Sequence, residues 1–411
     1  MLTEAGEELP LDEKVVIWSD DVSDVNPVIE SAEYAYKQTN VVQVNEEGIS
    51  IAARHIYSKL RAESYNPRTW RTQPLHLVPV EPYVASEPLN ESVLNWIFLL
   101  SALNFSFWSP SEGQIDRYGV EWLAGWNDSE KNPKIWTGYW SLVASLNRAL
   151  QDNIPITDPH FYSSELLCPD SLITSVFRPA TQCSETIPLL QERISVMREV
   201  GFILCNSFEG SYKGFLEEFQ RRHDGQGTAL DLVKMVTNTF PSFRDEVFYN
   251  GKRVCFWKRA QILVAETWAA FYPDPSLTEI HPLFPGIRGP VIQDLTMFAD
   301  YRVPQILHHL RMLEYPPSLV RKLQEKLELE PGSKEEISLR ASSIVAVEKL
   351  KDAILNLISN EDAGATYEVS SVLIDFFLWD LAKKLERGDE KIDDIETTDI
   401  IPAHRTRSIW Y

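Results

Sequence analysis

Two short segments of the chain set carboxylates directly among aromatic rings. MFADYR at 297–302 places Asp300 beside Phe298 and Tyr301, and LIDFFLWD at 373–380 holds Asp375, Phe376 and Asp380 in an otherwise apolar run. An ionised carboxylate in apolar surroundings is costly unless something compensates it, so each of these acids needs a partner. One compensation is structural: an arginine or a helix N-terminus for Asp375 and Asp380, and a local pair with Arg302 or a helix cap for Asp300. The other is a site. Cleavage of an N-glycosidic bond passes through an oxocarbenium-like sugar, which a carboxylate stabilises while aromatic faces hold the base. A binding pocket for a cationic aromatic ligand asks for the same residue types. On a helix, five residues correspond to about 140° of rotation, so Asp375 and Asp380 do not share a proton and line different sides of one pocket. Phe376, four residues before Asp380, lies near its face.

Other chemistry-bearing residues are fewer. The stretch GKRVCFWKR at 251–259 carries Lys252, Arg253, Lys258 and Arg259 with no acid among them, and it is where a phosphate is expected. His76, in the proline-stiffened QPLHLVP, either faces a ligand or packs with a hydrogen bond. His308 and His309 are adjacent and lack a third ligand at metal spacing, and Cys168, Cys183, Cys205 and Cys255 stand far apart, so neither a metal site nor a disulfide framework is expected. No flanking motif singles out a Ser-His-Asp or Cys-His arrangement.

Composition narrows the substrate. A net charge of −21 disfavours a broad grip on nucleic acid, which depends on Lys and Arg displacing counterions from phosphates, whereas one nucleotide needs only a local basic cluster. Twelve Trp, fifteen Tyr and eighteen Phe serve a dense core or stacking on a flat ligand. The acidic N-terminus is no targeting signal, and no apolar run approaches the roughly 20 residues of a membrane span, so a soluble cytoplasmic protein is expected.

The elements that must position these residues are mostly helical. Residues 1–27 read as an acidic extension with a short strand at VVIW (15–18). From Val28 onward, apolar residues at three- and four-residue intervals predict helices broken by an extended VVQVN. ESVLNWIFLLSALNFSFW (91–108) reads as a central buried helix running into an aromatic turn, and 109–134 as a surface insertion forming a hairpin. Helices follow over 137–150, 186–206, 210–222, 228–238 and 258–272, then over 294–313 with an interruption at Pro304, and over most of the remaining chain. Strands are expected only around 74–80, 245–256 and the terminal RSIWY, too few for a doubly wound sheet.

The ordered set ALNFSFW (102–108), TGYWSLVASLNRAL (137–150) with IPITD (154–158), FPSFRD (240–245), GKRVCFWKRAQILVAETW (251–268), LTMFADYRVPQIL (295–307), LIDFFLWD (373–380) and HRTRSIWY (404–411) resembles the queuosine-salvage family of queuosine 5′-phosphate N-glycosylase/hydrolases. The resemblance covers roughly residues 28–411. It implies a single, mainly α domain similar to helix-hairpin-helix DNA glycosylases, with a few short strands, acting on a small-molecule nucleotide to release queuine, with no cofactor, no metal and no direct nucleic-acid partner, as a monomer. Residue by residue it implies a catalytic role for Asp375, a base pocket of Phe298, Asp300, Phe376, Asp380 and His76, with the two phenylalanines flanking the base, and a phosphate contact at Lys252. Phe376 stands where a tyrosine is common in the family, so a hydroxyl contact is lost there. The alternative is a non-catalytic protein that binds queuine or its nucleotide through the same pocket.

The base agrees with a carboxylate-centred mechanism. A 7-deazapurine has carbon where a purine has N7, so departure by N7 protonation is closed and the burden shifts to stabilising the sugar cation. Queuine also carries a secondary ammonium, for which Asp300 or Asp380 is the expected counter-charge, with the other accepting from the guanine-like edge.

Overall fold

A computed structural model of the chain describes residues 26–84, 87–128, 132–278, 280–284, 292–361 and 369–411. The strand expected at 15–18, like most of the N-terminal extension, lies outside the described residues. Side-chain caps mark where the first helices begin. Asn26 accepts from the Val28 amide at 2.9 Å to open α1 (Pro27–Thr39), whose first residue is the proline that an N-terminal turn tolerates, and Asn40 in the left-handed region closes it. After the two-residue β1 (Gln43–Val44), Asn45 caps α2 (Glu46–Ala62).

A 3-10 turn at Pro67–Thr72 and an irregular proline-rich stretch lead to α3 (Pro88–Ala102), buried along most of its length as its continuous apolar run requires. No strand forms at 74–80; its prolines lack the amides that a ladder uses. The expected hairpin at 109–134 is present as β2 (Gly119–Leu123) and β3 (Pro133–Thr137), paired antiparallel. It is not a surface addition, because Tyr118, Val120 and Trp122 are buried and β2 packs on α4 (Tyr139–Gln151).

Five helices continue the chain: α5 (Pro159–Tyr162), α6 (Asp170–Val176), α7 (Leu190–Ser207), α8 (Tyr212–Arg222) and α9 (Ala229–Thr239), the last opened by a reciprocal Thr228–Asp231 capping box. A second hairpin, β4 (Glu246–Tyr249) and β5 (Lys252–Cys255), turns on Asn250-Gly251, both at positive φ, the pair that a two-residue turn of matching twist favours. Then α10 (Lys258–Ala270) runs through the middle of the molecule with every residue buried, against α3, α9 and the 3-10 turn.

The chain next crosses 297–301 without helix before α11 (Arg302–His309) begins. The helix expected over 294–313 is therefore shorter, and Pro304 does not interrupt it. It sits in the first turn, where its missing N–H has no carbonyl to meet. Strand β6 (Leu313–Glu314) pairs with β1, and α12 (Pro317–Gln324), α13 (Lys334–Glu361) and α14 (Ser371–Arg387) follow. The last is capped by Ser370 and closed by Gly388 at φ 76°. The terminal RSIWY forms no strand; just before it, Arg405 makes an isolated bridge to Glu328. One apolar core runs from α1 to the C-terminal segment, and each large side chain it removes from water contributes roughly 1.5–3 kcal/mol. The result is a mainly helical protein with three two-stranded antiparallel pairs among the described residues.

One buried cluster ties the site's elements together. Arg340 on α13 grips both oxygens of Asp245, Nη1 to Oδ1 at 3.0 Å, and its Nε donates to the Ala299 carbonyl at 3.1 Å. Asp245 in turn accepts from the Phe256 and Trp257 amides through its carbonyl, which sets the start of α10. Thus α13, the entrance to α10 and the 297–301 segment share one guanidinium.

Candidate active site

On α14, residues 375, 376, 379, 380 and 383 form a stripe, and Asp375, Phe376, Trp379, Asp380 and Lys383 all line a cleft of about 980 Å³ including its open mouth. The two aspartates are the stripe's opposite edges, which realises their expected angular separation. Asp375 is 4 % exposed, and its Oδ1 accepts from the Phe298 amide at 3.0 Å. Burial and then the charge of Asp300 push its carboxyl well above the ordinary carboxylate range, while the Phe298 N–H and Lys258 pull the other way. Asp380 is raised by burial as well; its Oδ2 accepts from the Tyr65 hydroxyl at 2.7 Å, which opposes the rise.

The 297–301 segment brings Phe298, Asp300 and Tyr301 to the same cleft. Asp300 has the helix-capping role: its Oδ1 accepts from the Arg302 and Val303 amides at 2.8 and 2.9 Å at the start of α11. The Phe298 and Phe376 rings lie 5.9 Å apart at 57°. They are in contact with one another, so as placed they present one joined aromatic surface to the cleft.

From α10, Lys258, Ile262 and Glu266 reach the cleft at four-residue spacing. Burial lowers the Lys258 ammonium to about 8 against the opposing charge of Asp300, and its Nζ donates to the Asn104 carbonyl at 3.2 Å. Glu266 is pushed up to about 7 by burial, and its Oε1 accepts from the Tyr139 hydroxyl at 3.5 Å. The other two cleft cations are engaged: Arg302 pairs with Glu386 and Glu112 at 3.1 and 3.4 Å, and Lys383 with Glu386 at 2.9 Å.

His76 also lines the cleft. Its Nδ1 is 2.8 Å from the Trp70 carbonyl, which can only accept, so Nδ1 carries the proton and Nε2 presents a lone pair. Burial lowers the imidazole to about 4, keeping it neutral at physiological pH, and it packs on Trp70 with ring centres 4.1 Å apart. Tyr139 and Trp140 of α4 complete this aromatic end.

The structure therefore gathers Asp375, Phe376, Asp380, Phe298, Asp300 and His76 around one cleft. It does not bring Lys252 there. That side chain lies on the exposed β4–β5 hairpin with its ammonium over the Tyr34 ring at 4.7 Å, and Lys258 of the same basic run enters instead, because the chain turns at Trp257, in the left-handed region with φ 47°. Glu266, Tyr65, Trp70, Tyr139, Trp140 and Trp379 were not singled out from sequence. Glu266 carried a usable signal, a lone acid in the apolar KRAQILVAETWAAFY. Among the described residues no group of three or more His, Cys, Asp or Glu is placed to hold a metal ion, and no helix is long and apolar enough to cross a membrane.

A buried carboxylate anchored by an amide, a lysine close by and aromatic walls can hold a flat base and stabilise positive charge on an attached sugar. Comparison with known proteins points the same way. The family model described as queuosine salvage protein matches residues 84–411. A Schizosaccharomyces pombe protein named queuosine 5′-phosphate N-glycosylase/hydrolase is 39% identical over 93% of this chain and 99% of its own length. Proteins of the same name from Mus musculus and Sphaerobacter thermophilus are 34% and 32% identical over 93% of this chain, and 98% and 97% of theirs.

Proposed function

The chain belongs to the queuosine-salvage protein family, and from that premise we propose that its cleft hydrolyses the N-glycosidic bond of queuosine 5′-phosphate and releases queuine. The observation that carries this reading is Asp375, a carboxylate fixed by the Phe298 amide inside an aromatic cleft. As the bond from C1′ to the base breaks, its electron pair leaves with the base and positive charge develops on the sugar. In the unliganded cleft, burial and Asp300 disfavour the Asp375 charge; a growing cation beside it reverses that balance, so the interaction strengthens toward the transition state. Water then adds at C1′ and loses a proton, and the departing base gains one.

Phe298 and Phe376 offer the base one stacking surface, and Asp300, Asp380 and the His76 Nε2 lone pair face its polar groups. The phosphate falls to Lys258, whose charge acts on both Asp375 and Asp300 and which has no ion-pair partner among the described residues. The protein acts in the cytoplasm as a monomer on the free nucleotide; the net charge of −21 supports a small substrate over RNA. The test is incubation with queuosine 5′-phosphate and detection of free queuine by mass spectrometry. Release that disappears in Asp375→Ala supports the reading. A nucleotide that binds and stays intact would identify a non-catalytic binder instead.

A further inference from the structure

One end of the cleft holds a buried carboxylate, Glu266, whose surroundings in the protein are neutral. Glu266 is 7 % exposed, and the groups that act on its carboxyl, the Trp70 indole and the Tyr139 and Ser101 hydroxyls, are all neutral donors; of these only Tyr139 makes a hydrogen bond of good geometry among the described residues, to Oε1, and Oε2 is left without one. A buried carboxylate that opens on a cleft with an oxygen not fully satisfied marks a place for a polar ligand group. The four cleft carboxylates also differ in their company. Asp375 and Asp300 sit with Lys258, and Asp380 feels Lys384 and Arg387, but no cation of the described residues acts on Glu266.

Tyr139, whose hydroxyl reaches Glu266, belongs to an aromatic group that lines the same cleft. Tyr139, Trp140 and Trp379 contact one another with ring centres 5.0, 5.8 and 5.9 Å apart. Ring faces attract ammonium groups, and a carboxylate among them supplies the counter-charge. Glu266 also stands eight residues beyond Lys258 on α10, about 12 Å along the axis at 1.5 Å per residue. That separation suits an extended nucleotide with its phosphate at one end and the arm of its base at the other.

We infer that Glu266, walled by Tyr139, Trp140 and Trp379, is the receptor for the secondary ammonium on the substrate's base, in place of Asp300 or Asp380. Each alternative has one oxygen held at 2.7–2.9 Å, Asp300 Oδ1 by the α11 amides and Asp380 Oδ2 by the Tyr65 hydroxyl, and each already has cations near it, whereas Glu266 has neutral donors alone. The assignment rests on the proposed function for the identity of the ligand and makes Glu266 a specificity-determining residue, not a participant in bond cleavage.

The experiment compares two substrates, queuosine 5′-phosphate and 7-deazaguanosine 5′-phosphate, which has the same ring system without the cationic arm. Glu266→Gln should lower kcat/KM for the armed nucleotide by roughly 10- to 100-fold, mostly through KM, and leave the armless one unchanged. Trp379→Leu, on the partly exposed wall, should show the same selectivity and serves where the first variant does not fold. Equal losses on both substrates would mean a structural role, and an arm-selective loss in Asp380→Asn or Asp300→Asn but not in Glu266→Gln would move the ammonium elsewhere; either overturns the inference. If the wild-type protein cleaves neither nucleotide, the proposed function fails on its own. Calorimetric binding of queuine against 7-deazaguanine, in wild type and both variants, then decides the ammonium site separately, with equal affinities counting against it.

Discussion

The Asp375 carboxylate accepts the Phe298 amide at 3.0 Å, joining two segments 77 residues apart in the chain. The same bond aims one oxygen of the acid and fixes the backbone that carries the Phe298 ring into the cleft. It also makes Asp375 dependent on how the 297–301 segment is held, so several consequences follow for residues that touch no substrate.

Asp375→Asn keeps an oxygen for the Phe298 amide but removes the charge, and queuine release should fall on the order of a hundredfold or more with little change in KM. In the wild type the acid limb of kcat should lie above the ordinary carboxylate range, because burial and Asp300 raise this group. The sign for stability is opposite. A raised folded-state carboxyl favours folding when protonated, an advantage lost as pH rises through its folded value, so Asp375→Asn should melt higher than wild type at pH 8 and converge with it at low pH. A kcat profile and thermal melts across pH check both.

Lys252 and Lys258 should separate cleanly. Lys252→Ala, on the exposed hairpin, should leave KM for queuosine 5′-phosphate as it is. Lys258→Met should raise KM by roughly tenfold or more, the scale of one charge-assisted contact, while affecting the unphosphorylated nucleoside far less. Lower activity of Lys258→Met toward nucleoside and nucleotide alike would put the lysine's role with Asp375 instead of the phosphate.

Tyr65→Phe removes the hydroxyl that Asp380 accepts at 2.7 Å. Burial already raises Asp380 and this bond opposes it, so the variant should push the carboxyl further up. Substrate affinity should weaken by roughly tenfold at pH 6 and recover toward pH 8 as the acid ionises, which titration calorimetry at the two values measures.

Arg340→Ala leaves Asp245 buried without its guanidinium and frees the Ala299 carbonyl, and it should cost about 3–5 kcal/mol in urea denaturation. At temperatures where the variant is still folded, kcat should drop more than KM rises, since the loosened 297–301 segment misplaces the amide that holds Asp375. Arg340→Lys should rescue poorly, a point charge being no substitute for the two-pronged grip.

Much of the helical order was legible because apolar periodicity is local; the caps at Asn26, Asn45 and Ser370, which the sequence reading did not use, also act within a turn of their own positions. The errors were also local in origin. Pro304 was read as a break because proline is costly inside a helix, yet it costs little in the first turn, and the start of α11 is set by Asp300 accepting two amides. The 109–134 stretch looked like surface from its polarity, but Tyr118, Val120 and Trp122 are buried against the core beside α4.

By itself the sequence determined which residues have to be explained, acids embedded in apolar runs, and through its ordered motifs the family and the residues around Asp375. Only the tertiary structure decided how they divide the labour. Lys252 and Lys258 are equivalent in a string of letters; a left-handed residue at Trp257 sends one to solvent and the other beside Asp300. The acid of α10 was visible as a lone charge in an apolar helix, but that it faces the cleft with no cation for company depends on α3, α4 and the turn at 67–72 meeting there. Charge and residue type are properties of the chain, whereas burial, which sets what a charge costs and what it will bind, exists only once distant segments pack.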